Sequence, residues 1–162
     1  MKSVILALTT GILGILPAPS FAQEPPPEPS PAPPSPEAEA MPAADVSARS
    51  RALDLAGAFS NDGFLLRDGY WPGEIEPGRP RFLEVNLFAG NSYWFCAAAS
   101  PPARSIAISI FDENGNPLPY EAYSDEHVAG AGVIPQVSGR YILKLEMLEG
   151  EKAPFCVLYT YK

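Results

Sequence analysis

Few side chains in this chain could do chemistry: it has one histidine, His127, and two cysteines, Cys96 and Cys156. His127 follows Asp125 and Glu126 in a loop-like stretch. A Ser-His-Asp relay could use it, because such sites assemble from distant parts of a chain. No Gly-x-Ser-x-Gly turn is present to raise a serine nucleophile. His127 therefore reads as a surface histidine. The other hydrolytic arrangement is a carboxylate pair flanking a glycosidic bond. Glu74, Glu76, Glu84 and Glu121 are available, but no spacing singles out two of them. A small secreted hydrolase using His127 or a carboxylate pair is the alternative reading.

Metal chemistry fares no better. Zinc asks for clustered nitrogen and sulfur ligands, and the chain has no Cys-x-x-Cys and no second histidine. Asp112, Asn114 and Asn116 fall on the first three ligand positions of a calcium loop. Pro117 and Tyr123 then occupy the positions that need glycine and glutamate. The stretch reads instead as a hairpin turn on Asn114-Gly115. No cofactor is expected.

The cysteines belong to a compartment question. Met1 and Lys2 precede an uncharged apolar run from Val4 to Leu16, and Ser20-Phe21-Ala22 supplies the small residues of a cleavage site. This is the pattern of a secretory signal peptide (residues 1–22), cut between Ala22 and Gln23. The run is short for a spanning helix, so no stable membrane insertion is expected after cleavage. The destination is the periplasm or the outside of the cell. That space is oxidising, so Cys96 and Cys156 are expected to form a disulfide. Strand parity agrees. Cys96 lies opposite Tyr93 and Phe95, and Cys156 opposite Phe155, Val157 and Tyr159, so both thiols share an outer face.

The elements that must position these residues follow from periodicity. Residues 23–42 hold nine of the twenty prolines and no aromatic residue. Such an arm cannot offset its ordering entropy and is expected to be disordered or extended. Residues 43–63 carry a helix over Asp45–Ser60, with Ala48, Ala52, Leu55, Ala56 and Phe59 on one side, and a stop at Ser60-Asn61-Asp62-Gly63. Residues 64–162 switch to period two. Arg81–Phe88, Ser92–Ala98, Ser105–Phe111, a Gly-rich Val128–Ile134, Arg140–Met147 and Phe155–Tyr161 read as strands separated by turns. That is the signature of an antiparallel sandwich. The outer face holding Trp94, Cys96, Ala98, Cys156 and Leu158 is apolar and needs a cover. The helix stripe Ala48, Ala52, Leu55 and Phe59 is predicted to provide it.

Ala89-Gly90, the pair Tyr93 and Phe95, Phe111-Asp112, Asn114-Gly115 and Ser138-Gly139-Arg140-Tyr141 occur in the order seen in the bacterial pre-peptidase C-terminal domain, and residues 82–161 resemble that family. The resemblance implies a jelly-roll-like β-sandwich that serves as an accessory domain of exported proteins.

A net charge of −8 excludes a phosphate-binding face for nucleic acid and electrostatic docking on anionic lipid. Tyr70, Trp71, Trp94, Tyr120 and Tyr123 are a candidate binding surface. The sequence thus predicts a mainly β, jelly-roll-like sandwich with one N-terminal α-helix. Its expected role is that of an exported non-catalytic module, which binds a protein or polysaccharide of the cell envelope or supports envelope structure.

Overall fold

The computed structural model describes residues 43–162; the signal segment, its cleavage residues Ala22 and Gln23, and the proline-rich arm lie outside the described residues. Helix α1 (Ala43–Gly57) leads through a short 3-10 turn (Ser60–Asp62) into nine strands. These are β1 (Leu65–Leu66), β2 (Trp71–Ile75), β3 (Arg81–Leu87), β4 (Tyr93–Ala99), β5 (Ala103–Asp112), β6 (Glu121–Asp125), β7 (Val128–Val133), β8 (Gly139–Gly150) and β9 (Ala153–Tyr161). The larger antiparallel sheet runs β1-β9-β4-β7-β6, with β2 also paired to β9, and the smaller runs β3-β8-β5. The chain is therefore mainly β with one N-terminal helix, as its alternation predicts.

Period-two patterning decides which side chains meet between the sheets. Leu87 and Val85 of β3, Ile106, Ile108 and Ile110 of β5, and Leu143, Leu145 and Met147 of β8 enter from the smaller sheet. Tyr93, Phe95 and Ala97 of β4, Ala129 and Ala131 of β7, and Phe155, Val157 and Tyr159 of β9 meet them from the larger one. Each fully buried aliphatic or aromatic side chain of this kind contributes roughly 1.5–3 kcal/mol of transfer free energy.

A second, smaller core lies on the outside of the larger sheet. Ala48, Ala52 and Ala56 of α1 bury themselves against Cys96 and Ala98 of β4 and Cys156 and Leu158 of β9, with Leu55 and Phe59 half-buried at its margin. The alanines matter because they carry no side chain beyond Cβ, so the helix backbone approaches the sheet closely. The start of the helix is tied down where the Ser100 hydroxyl donates to the Ala44 carbonyl. The predicted cover is thus the one observed.

Trp94 completes this outer layer, and it accounts for the glycines of β7. Its indole stacks on Phe59 with 4.4 Å between centroids and 16° between planes. Its other side lies on Gly132, the residue paired with it across the strands. A Cβ at Gly132 would stand 2.7 Å from the indole, so only glycine admits the ring there.

Candidate functional site

His127 sits at the β6–β7 turn, half-buried between α1 and the start of β7. Its Nε2 lies 3.9 Å from Glu126 Oε2, and its Nδ1 is buried without a partner. Glu126 itself has a φ of 40°, a left-handed geometry that usually falls to glycine at the first position of a two-residue hairpin. No serine hydroxyl is hydrogen-bonded to the imidazole among the described residues, so the geometry of a relay is not assembled around it.

The carboxylates are dispersed in the same way. Glu74 pairs with Lys152 at 2.7 Å, Glu76 with Arg79 at 2.9 Å and Glu84 with Arg140 at 3.8 Å. Glu121 lies apart from all three, on β6. Among the described residues no three His, Cys, Asp or Glu side chains converge as a metal cage requires. The Asp112 carboxylate is spent on its own turn. It accepts from the backbone of Asn114 at 2.9 Å, the backbone of Asn116 at 2.8 Å and the Asn116 amide at 2.9 Å. The Asn116 bonds foremost hold its pKa below the ordinary aspartate value. Gly115 takes a φ of 82° at the centre of the reversal, and Leu118 N donates back to Ile110 O, so the stretch is the hairpin turn that Asn-Gly predicts.

The cysteine expectation needs correction. Cys96 and Cys156 do share the outer face beneath α1, but both are free thiols. Cys96 is paired with Leu158 and Cys156 with Ala98, so the two stand diagonally, two residues out of register. Diagonal neighbours in a sheet are about 7–8 Å apart, whereas a disulfide spans Cα atoms about 4.4–6.8 Å apart. Burial pushes the Cys96 thiol up to about 12. It pushes Cys156 up to about 11, with Arg49 pulling slightly the other way. Neither is a ready nucleophile at neutral pH.

The five aromatic residues expected to form a binding surface are only partly brought together: Trp94 and Tyr120 line one groove, and Tyr123 and Trp94 flank Gly130. Trp94 is covered by Phe59. Trp71 stacks on Tyr159 at 5.9 Å, and Arg49 lies over the Tyr70 ring at 4.4 Å. Tyr120 meets the Ser109 hydroxyl at 3.5 Å. Tyr123, on β6, is the exposed one of the five.

An open apolar surface does occur, at one end of the sandwich where the sequence pattern did not point. Phe88, Ile134 and Val137 are 61%, 58% and 69% exposed. Their two loops are laced together, Ala89 N donating to Ser138 Oγ at 2.9 Å and Gly90 N to Pro135 O at 3.4 Å. Tyr93 and Tyr141 brace them from below. The Tyr93 hydroxyl accepts from Phe88 N at 3.0 Å, and the Tyr141 hydroxyl donates to Val137 O at 2.6 Å. With the backbone polar groups satisfied, the loops hold large apolar side chains out to water. Beside them a groove of about 460 Å³ is lined by Pro117, Leu118, Ile134, Val137 and Tyr141, together with Asp112, Glu113 and Arg140. The alternation predicts strands ending on Phe88 and Ile134, but β3 stops at Leu87 and β7 at Val133, so both side chains fall just past the pleat and, with Val137 in the same turn as Ile134, escape the alternation.

No family model and no curated protein matches the chain. Among solved structures, it is similar to the crystal structure of Aeromonas hydrophila PliG, a periplasmic lysozyme inhibitor of g-type lysozyme. The TM-score is 0.43 and the identity 13%, over 58% of this chain and 85% of that one. Among the described residues no helix is long and apolar enough to cross a membrane.

Proposed function

We propose that this chain is an exported, non-catalytic binding module, working in the periplasm or outside the cell, and that its partner is a protein. The observation that carries the reading is the loop end, where Phe88, Ile134 and Val137 are held exposed on a braced backbone beside a groove. Soluble domains seldom leave adjoining large apolar side chains in water without a use for them, and such clusters with a polar rim are the usual centre of a protein interface. A polysaccharide is the weaker candidate, because stacking on a sugar needs open aromatic faces and most of those here are covered. The resemblance of residues 82–161 to pre-peptidase C-terminal domains points to the same accessory kind of work.

The test is site-specific photocrosslinking in cells. A photoreactive residue at Val137 should give a discrete protein adduct, and one at Asn61, on the 3-10 turn, should not. Ile134→Asp with Val137→Asp should abolish the adduct while leaving the Tm within a few degrees. Equal labelling at the two positions, or an adduct that survives the double substitution, would overturn the proposal.

A further inference from the structure

The free edge of the larger sheet is a second surface; it adjoins the loop end through Ile134, which lines a groove with Glu121. Among the described residues β6 closes that sheet and pairs only with β7, so the N–H and C=O groups along its other side have no strand partner there. All of its residues are exposed. Register fixes its two faces. Glu121 pairs with Gly132 and Tyr123 with Gly130, which places them, with Asp125, on the outer face. Ala122 pairs with Ala131 of the core and lies, with Ser124, on the inner side. Exposed edges are commonly guarded by lysine, proline or a bulge. The centre of this one, Ala122-Tyr123-Ser124, has none of these.

Charge identifies what would pair there. From Ser105 to Gly139 the chain carries Asp112, Glu113, Glu121, Asp125 and Glu126 and no lysine or arginine. The lysine and arginine ion pairs among the described residues all lie on other stretches of chain. Across a groove of about 390 Å³, α1 presents Arg51 and Asp54 toward this edge, which offset one another. Lys162, which shares a groove with Glu121, is turned to the Asp62 carbonyl and the Phe64 ring. We propose that β6 is a strand-addition site for an extended basic segment of a partner protein. Main-chain hydrogen bonds continue the sheet, and alternate side chains are read on its two faces. Basic side chains of the incoming strand lie beside Glu121 and Asp125, and small or apolar ones extend the inner face beyond Ala122.

The experiment uses amide NMR on the purified full chain, with a blocked heptapeptide of alternating lysine and valine as probe. Shifts should be concentrated in residues 121–133, and affinity should fall about tenfold or more at high salt, where surface charges are screened. Glu121→Lys with Asp125→Lys, both at exposed positions, should weaken binding at least about tenfold. A version of the peptide N-methylated along one edge keeps its charge and should not bind. Val137→Asp alone, at a position in the loop-end groove and not in the one lined by Glu121, should bind the probe normally, so the fate of this proposal and that of the loop end can be told apart. Unchanged affinity in the β6 variant, equal binding of the N-methylated or a glutamate–valine peptide, or shifts located elsewhere would overturn it.

Discussion

Trp94 and the glycines beneath it show how much a single position can carry. A methyl group at Gly132 would meet the rigid indole at 2.7 Å, and Phe59 on the far side leaves the ring no room to retreat. Gly132→Ala should therefore destabilise the domain by about 1–3 kcal/mol, the usual cost of overpacking, as read by urea denaturation. Thr160 makes the opposite case. It lies on β9 opposite Trp94, 2% exposed, with its hydroxyl unpartnered. Thr160→Val removes a desolvated donor while keeping the branched shape, and should raise stability by about 1 kcal/mol in the same assay. Asp112 provides a pH-dependent test. Its folded-state pKa is lowered, so its contribution is present above the unfolded value and is lost as pH falls through the folded one. Carbon-detected NMR titration should place it below ordinary aspartates, and Asn116→Ala should move it back toward them.

Helix α1 was legible in the sequence because alanines at Ala48, Ala52 and Ala56 have no reason to share one side unless that side is pressed on something. The strands with apolar alternation, such as Ser105–Phe111 and Arg140–Met147, were legible for the same reason. β2 and β6 were not. Trp71-Pro72-Gly73 carries turn residues inside a strand that survives because it lies at an edge. Glu121–Asp125 has no buried face to leave a pattern. The thiols mark another boundary, since parity assigned Cys96 and Cys156 to the right face but register alone determines whether they can bond. The close approach of the helix makes a sharp prediction. Ala52→Leu should wedge α1 away from β4 and β9 at a cost of about 1–3 kcal/mol. Cys96 and Cys156 should then react with a maleimide much faster than in the unsubstituted chain, where labelling waits for the helix to lift.

The described residues form two cores of unequal kind. The inner one is closed on both sides by sheet, whereas the outer one is closed by a single helix across β4 and β9. Deleting residues 43–60 should leave the sandwich strands paired but expose Cys96, Ala98, Cys156 and Leu158 together. The expected results are a lower Tm and reversible self-association in sedimentation, since a bared apolar sheet face seeks another surface. An unchanged Tm would mean that the helix is an ornament of the fold rather than a layer of it. The loop end escaped prediction at this same scale. Phe88 is far along the chain from Ile134 and Val137, and only the sandwich topology brings their two turns together.

The indole caught between Phe59 and Gly132 also makes the protein its own optical gauge. The chain holds two tryptophans, and Trp71 lies away from the helix, stacked on Tyr159. In a Trp71→Phe background the remaining emission comes from a fluorophore with Phe59, just past the end of α1, on one side of it and the sheet on the other. Its wavelength then reports whether the helix is seated. Any event that lifts α1 would appear as a red shift before the sandwich itself gave way, and could be followed in real time without a dye.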